Sequence, residues 1–172
     1  ALGLSVGFKA NVWNIGAEGQ YIMGAIFGAS FALSLYPLES IFIFPTMVLM
    51  GILGGSLWSM IPALLKVKFN VNEILVSPML VYVAEQILAL ASLGFLRNPD
   101  GAGFPGSRNL SQYSSASNSE LIVGTGIHLG VLLSLLMVVF FYVLLFRHSL
   151  GFKIKLLGNS PKASGFSGDN PN

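Results

Sequence analysis

Apolar residues gather into four long runs, 20–36, 41–65, 74–96 and 121–146, separated by connections that carry polar residues, glycine and proline. Most of these runs approach the roughly 20 residues that a helix needs to cross a bilayer, so each predicts a transmembrane helix. Residues 1–8 read as the tail of a further helix, and the chain as an internal piece of a longer protein. The expected fold is all-α, a polytopic transmembrane bundle of about four full spans and part of a fifth, forming one domain over residues 1–172.

The first full run is shorter than the others and opens on Trp13-Asn14-Ile15-Gly16-Ala17-Glu18-Gly19-Gln20, where amide and carboxylate groups stand directly before apolar sequence. Hydrocarbon offers such groups no partner, so a cluster of this kind faces a protein interior or a water-filled path. The pattern predicts a broken-helix element that begins inside the protein. Small residues recur every four positions at Gly24, Gly28 and Ala32 and again at Gly51, Gly55 and Ser59. Close backbone approach drives helix association in lipid, so these two stripes predict tight packing of the two helices.

Composition agrees with the pattern. The chain is 53% hydrophobic and 9% charged, with a mean hydropathy of +0.74, outside the range of soluble domains. An excess of two positive charges, scattered in sequence, offers no clustered basic face for nucleic acid. Without cysteine there is no disulfide framework or thiolate metal site, and the two histidines form no ligand pattern. The basic residues act through placement. Lys9, Lys66, Lys68, Arg147, Lys153, Lys155 and Lys162 fall on one side of the expected topology, and only Arg97 and Arg108 on the other, which makes the first side cytoplasmic. Residues 97–120, rich in Pro, Gly, Ser and Asn, read as an external loop.

Several polar residues are candidates for a solute path. Asn14, Glu18 and Gln20 can line it with hydrogen-bonding groups; equally, Asn14 can cap a helix whose first turn holds Glu18. Asn72 and Glu73 have the form of an N-cap and an acidic first turn, at a mouth where a cap can also serve gating. Glu85 lies about 16 Å along its helix, near mid-bilayer, on a face shared with Pro78, Tyr82, Ala89 and Ser92. That spacing predicts a carboxylate turned into the bundle, either paired there or acting on a substrate or proton. His128, at the external end of the last helix, reads as an interfacial hydrogen-bonding group. No nucleophile elbow, paired catalytic carboxylates or phosphate loop is present. An acid–base pair of Glu85 and His128 is disfavoured by their different expected depths, whereas an ion-coupled transporter built on Glu85 is a coherent rival.

The Trp13 to Gln20 octapeptide closely resembles the W/F-N-I-G-A-E-G-Q signature of permease subunits of ATP-driven (ABC) importers for nucleosides and simple sugars. Further along, Lys66-Val67-Lys68-Phe69-Asn70-Val71-Asn72-Glu73-Ile74-Leu75-Val76-Ser77 resembles the family's K-x-K-F-x-V-N-E-V-I-V-T segment, and Arg97-Asn98-Pro99-Asp100-Gly101-Ala102-Gly103-Phe104-Pro105 is similar to its external-loop pattern. Gly124-Thr125-Gly126-Ile127-His128-Leu129-Gly130 resembles G-T-R-L-H-x-G, with Gly126 in the usual Arg place. The stretch from Gly151 to Ala163 resembles G-F-x-L-R-A-V-G-x-N-P-x-A, with Ser160 splitting the N-P pair. Val81 and Pro78 also depart from the family pattern.

The resemblance implies a multi-pass permease of the bacterial cytoplasmic membrane that does no bond chemistry. In the family this last segment leads into a cytoplasmic coupling helix, here within residues 151–172, and Gly158, Asn159, Pro161, Lys162, Ala163 and Gly165 would contact the ATPase. The implied partners are an ABC ATPase subunit that uses ATP and Mg, a second permease subunit (a paralogue or another copy), an extracytoplasmic substrate-binding protein and membrane lipid. No cofactor is implied for this chain itself.

Overall fold

A computed structural model of the chain describes residues 2–101, 106–118, 120–122 and 124–159. In order, the elements are α1 (Leu2–Lys9), α2 (Ala17–Ser34), α3 (Ile43–Phe69), α4 (Glu73–Leu93), strands β1 (Glu120–Ile122) and β2 (Ile127–His128), α5 (Leu129–Phe146) and α6 (Ser149–Asn159). They fall into two compact units, Ala1–Asn14 with Ser119–Asn172, and Ile15–Asn118.

Local sequence sets most boundaries in the second unit. α3 closes on Asn70, which takes the left-handed conformation (φ 51°) and donates its N–H to the Lys66 carbonyl at 2.9 Å; a short amide side chain tolerates that region better than most. α4 opens as expected, with the Asn72 side chain accepting from the Ile74 N–H at 3.0 Å. α2 does not start on Asn14. Its N-cap is Gly16, without a side-chain bond, because the backbone at this point is fitted against another helix and leaves no room for a Cβ.

Helices α2 and α3 pack through the two small-residue stripes. A Cβ added at Gly24 would lie 2.8 Å from the Gly51 carbonyl oxygen, and one at Gly55 would lie 3.0 Å from that of Gln20. Ala32 is fully buried, and Met23, Ile26, Ala84, Ala91 and Leu96 form a small core among α2, α4 and the turn that follows. At the far end of α2, the segment after α4 folds onto the α2–α3 turn. Tyr113 is buried there with Ala32, Ile43 and Ala116 and donates its hydroxyl to the Leu38 carbonyl, while Ser115 Oγ accepts from the Ser40 N–H at 3.1 Å. Burial raises the Tyr113 phenol above its ordinary pKa, and the charges of Glu39 and Tyr36 add to this. Arg108 stands 4.5 Å over the Tyr36 ring and pairs with Asp100 at 3.2 Å.

The helical membrane bundle is as expected, with one correction. Among the described residues, α3, α4 and α5 are long and apolar enough to cross a membrane, whereas α2 has 18 residues but is diluted by Glu18, Gln20 and its glycines. The run 121–146 is not a single helix. Its first part is an antiparallel hairpin pairing Glu120 with His128 and Ile122 with Ile127. Gly124 (φ 83°) and Gly126 (φ 69°) make the turn in a conformation that a right-handed helix cannot contain, so α5 begins only at Leu129.

In the first unit α1 and α5 both pack with α6. Gly151 is buried directly on the Leu145 carbonyl, and Gly158, half-buried, abuts that of Lys9. α5 is the most apolar helix, yet none of its residues is buried.

Candidate functional site

The break before α2 is seated on the first turns of α4. The Ile15 N–H donates to Ser77 Oγ at 3.3 Å, and that hydroxyl donates onward to the Glu73 carbonyl at 2.7 Å. A Cβ on Gly16 would lie 2.7 Å from the Ser77 carbonyl oxygen and 2.9 Å from its Cβ. Gly19 repeats the contact one turn on, 3.1 Å from the Val81 Cα and 3.2 Å from the Trp58 indole nitrogen by the same measure. With 1.5 Å of rise per residue, Ser77 stands about 6 Å and Val81 about 12 Å beyond the start of α4. The first turn of α2 therefore lies inside the span of α4, as the broken-helix expectation requires.

Ser77 is 2% exposed, the sole buried polar residue among those described. It joins this break to a charged turn. Glu73, whose carbonyl Ser77 holds, forms an ion pair through its carboxylate with Lys66 across the α3–α4 connection. Asn70 and Asn72 cap the two helices on either side. Lys66, Glu73, Ser77 and Ile15 thus form one continuous chain of contacts from the basic end of the bundle to the start of α2.

A second polar feature lies deeper. The Trp58 indole N–H is buried and has no acceptor among the described residues, and Pro62 lacks the N–H that would otherwise bond to the Trp58 carbonyl. The packed junction of α2, α3 and α4 therefore holds a buried indole donor with no partner among the described residues, beside a helix turn that lacks one backbone donor.

The residues expected at a solute path are divided by the fold. Asn14 belongs to the first unit, is half-buried and has a partner. Glu18 is exposed on the first turn of α2, and Gln20, half-buried, donates its backbone N–H to the Gly16 carbonyl at 3.3 Å. Asn72 serves as a cap and Glu73 is paired. Glu85 is exposed: α4 packs with Ser77, Ala84 and Ala91, a face spaced by sevens, so the carboxylate does not enter the α2–α4 interior. Tyr82, predicted on the same inward face, is 68% exposed. His128 sits at the N-cap of α5 with Nδ1 buried and unpartnered among the described residues. Of the coupling residues, Gly158 and Asn159 end α6, while Pro161, Lys162, Ala163 and Gly165 lie outside the described residues. Sequence reasoning did not single out Ser77 or Trp58. The signal for Ser77 was its position one turn after Glu73 and directly before Pro78, where a hydroxyl bonds back to the carbonyl four residues earlier. Among the described residues, no group of three or more His, Asp or Glu side chains gathers as a metal would need.

A polytopic helical membrane protein with a polar helix break set into its bundle is the class that these observations define. The chain matches over residues 1–172 the family described as the branched-chain amino acid transport system / permease component, and it belongs to that family. It is 32% identical over 164 residues to the glucose ABC transporter permease protein TsgB13 of Haloferax volcanii, covering 91% of this chain and 43% of that relative. It is 26% identical to the nucleoside ABC transporter permease protein NupB of Lactococcus lactis, covering 98% of this chain and 48% of the relative. To the guanosine ABC transporter permease protein NupP of Bacillus subtilis it is also 26% identical, covering 97% and 47%. The chain thus spans less than half the length of these relatives. No solved structure matches it significantly.

Proposed function

We propose that the protein is the transmembrane subunit of an ATP-driven importer that moves nucleosides or simple sugars inward by alternating access. The observation that carries this reading is the start of α2, a glycine-capped break seated inside the span of α4 and followed by Glu18 and Gln20. Such a break presents backbone and side-chain hydrogen-bonding groups to a polar, uncharged solute. The relatives named for glucose and for nucleosides support the cargo class. In this proposal the Lys- and Arg-rich ends face the cytoplasm of a bacterial cell, and Asn14, Glu18, Gln20, Asn72 and Glu73 contribute to the path. The segment from Gly158 through Pro161 to Gly165 docks on a partner ATPase, which binds and hydrolyses ATP with Mg. An external binding protein delivers the solute, and a second permease subunit completes the path.

The test is uptake of labelled nucleosides and sugars by cells carrying the full transporter, with the ATPase intact or disabled. Uptake of one class that vanishes without ATP hydrolysis is the expected result; uptake indifferent to the ATPase overturns the proposal. The exposed position of Glu85 on a membrane-length helix favours one second reading, an ion-coupled transporter. Ion-dependent uptake abolished in Glu85→Gln would support it.

A further inference from the structure

A cavity of about 790 Å³ in the first unit lies where the ends of α1 and α5 meet one face of α6. Its wall carries Lys9, Arg147, His148 and Lys155 beside Phe8 and Phe152. Among the described residues no carboxylate stands within ion-pair distance of Lys9, Arg147 or Lys155. Lys9 instead rests 3.7 Å over the ring of Phe146. His148 Nδ1 accepts from the Leu150 N–H at 3.2 Å, which leaves Nε2 as the donor of the neutral ring. Four cationic or donor groups thus converge on a space with no anion of the chain's own among the described residues.

Depth identifies the occupant. Arg147 directly follows α5, an apolar helix of 18 residues, so the cavity opens at the height where hydrocarbon gives way to headgroups. Its apolar side continues onto α5, of which no part of the spanning window is buried within the chain. A soluble anion would use the cations and leave the aromatic wall idle; a molecule with a phosphate and acyl chains satisfies both. A volume of this size falls within the range of pockets that enclose a compact organic ligand. We propose that this pocket binds the headgroup of an anionic phospholipid, with its phosphate among Lys9, Arg147, His148 and Lys155 and its chains along α5. The proposal is independent of the cargo.

Native mass spectrometry of the full-length permease in its complex tests it, comparing retention of phosphatidylglycerol with that of phosphatidylcholine of matched chains. Preferential retention of phosphatidylglycerol is expected, falling about fivefold in each of Lys9→Gln, Arg147→Gln and Lys155→Gln. Phosphatidylcholine retention should stay unchanged, and Lys68→Gln, outside the pocket, should match the wild type. Equal retention of the two lipids, or a triple variant that still holds phosphatidylglycerol, overturns the proposal. Displacement by millimolar inorganic phosphate would show a free-anion site instead, and variants that keep the lipid but lose the ATPase subunit would show a protein interface. A photoactivatable phosphatidylglycerol, applied to the wild type, decides the matter if the triple variant does not fold: adducts within residues 145–155 support the site, and adducts confined elsewhere overturn it.

Discussion

Helix α2 and helix α5 are equal in length, 18 residues each, yet they solve opposite problems. α2 carries a carboxylate, an amide and three glycines, is less apolar, and buries Gly19, Met23, Ile26, Gly28 and Ala32 against its neighbours. α5 is the most apolar span and buries nothing. In water the more apolar helix would be the one inside. In lipid the acyl chains are as apolar as leucine, so hydrophobicity selects the membrane and says little about protein neighbours. Backbone approach, shape and hydrogen bonds select those neighbours, and the residues that permit them are small or polar.

The comparison breaks most visibly at the glycine stripe. Gly24→Leu would drive a side chain into the Gly51 carbonyl, 2.8 Å from the position of its Cβ, and should lower the unfolding stability of the full-length protein by about 3 kcal/mol. Leu135→Ala on the exposed face of α5 should change it by no more than about 0.5 kcal/mol. Thermal unfolding of both variants in one detergent measures the contrast, and equal losses would end it.

A smaller loss is expected at the break. Ser77→Ala removes the acceptor of the Ile15 N–H, a part-buried bond, for about 1 kcal/mol. Hydrogen exchange at Ile15, read in the same variant, should accelerate; unchanged protection would show that the break is held by packing alone.

Weaker again is the ion pair at the α3–α4 connection, whose side chains are 37% exposed at Lys66 and 18% at Glu73. Solvent screens such a pair, so a double-mutant cycle of Lys66→Gln and Glu73→Gln should return a coupling of about 1 kcal/mol or less that shrinks with added salt. A larger, salt-insensitive coupling would place this turn with the packed interior instead.

The smallest effect concerns the segment folded over the far end of α2. Because the Tyr113 phenol is raised above its ordinary pKa of 10.0, the folded state holds its proton more tightly than the unfolded chain. The resulting stability is fully present below pH 10 and is lost as the pH rises from there through the folded-state value. Proteolysis within residues 106–118 should therefore accelerate at alkaline pH in the wild type, and this dependence should be weaker in Tyr113→Phe.

Much of this organisation was written in one dimension. The spans at α3, α4 and α5, the cap at Asn72, the α2–α3 glycine stripes and the polar start of α2 were all legible, because chain length, turn chemistry and residue size act locally or with a helical period. The tertiary structure alone decided which residue met which. It moved the cap of α2 from Asn14 to Gly16, since a Cβ there would strike Ser77. Glu85 turned outward because small residues at Ser77, Ala84 and Ala91 let α4 pack on another face. The hairpin before α5 and the gathering of Lys9, Arg147 and Lys155 around one cavity were equally hidden. Periodicity gives the faces of a helix, but the choice among those faces is made by backbone approach between segments far apart in sequence.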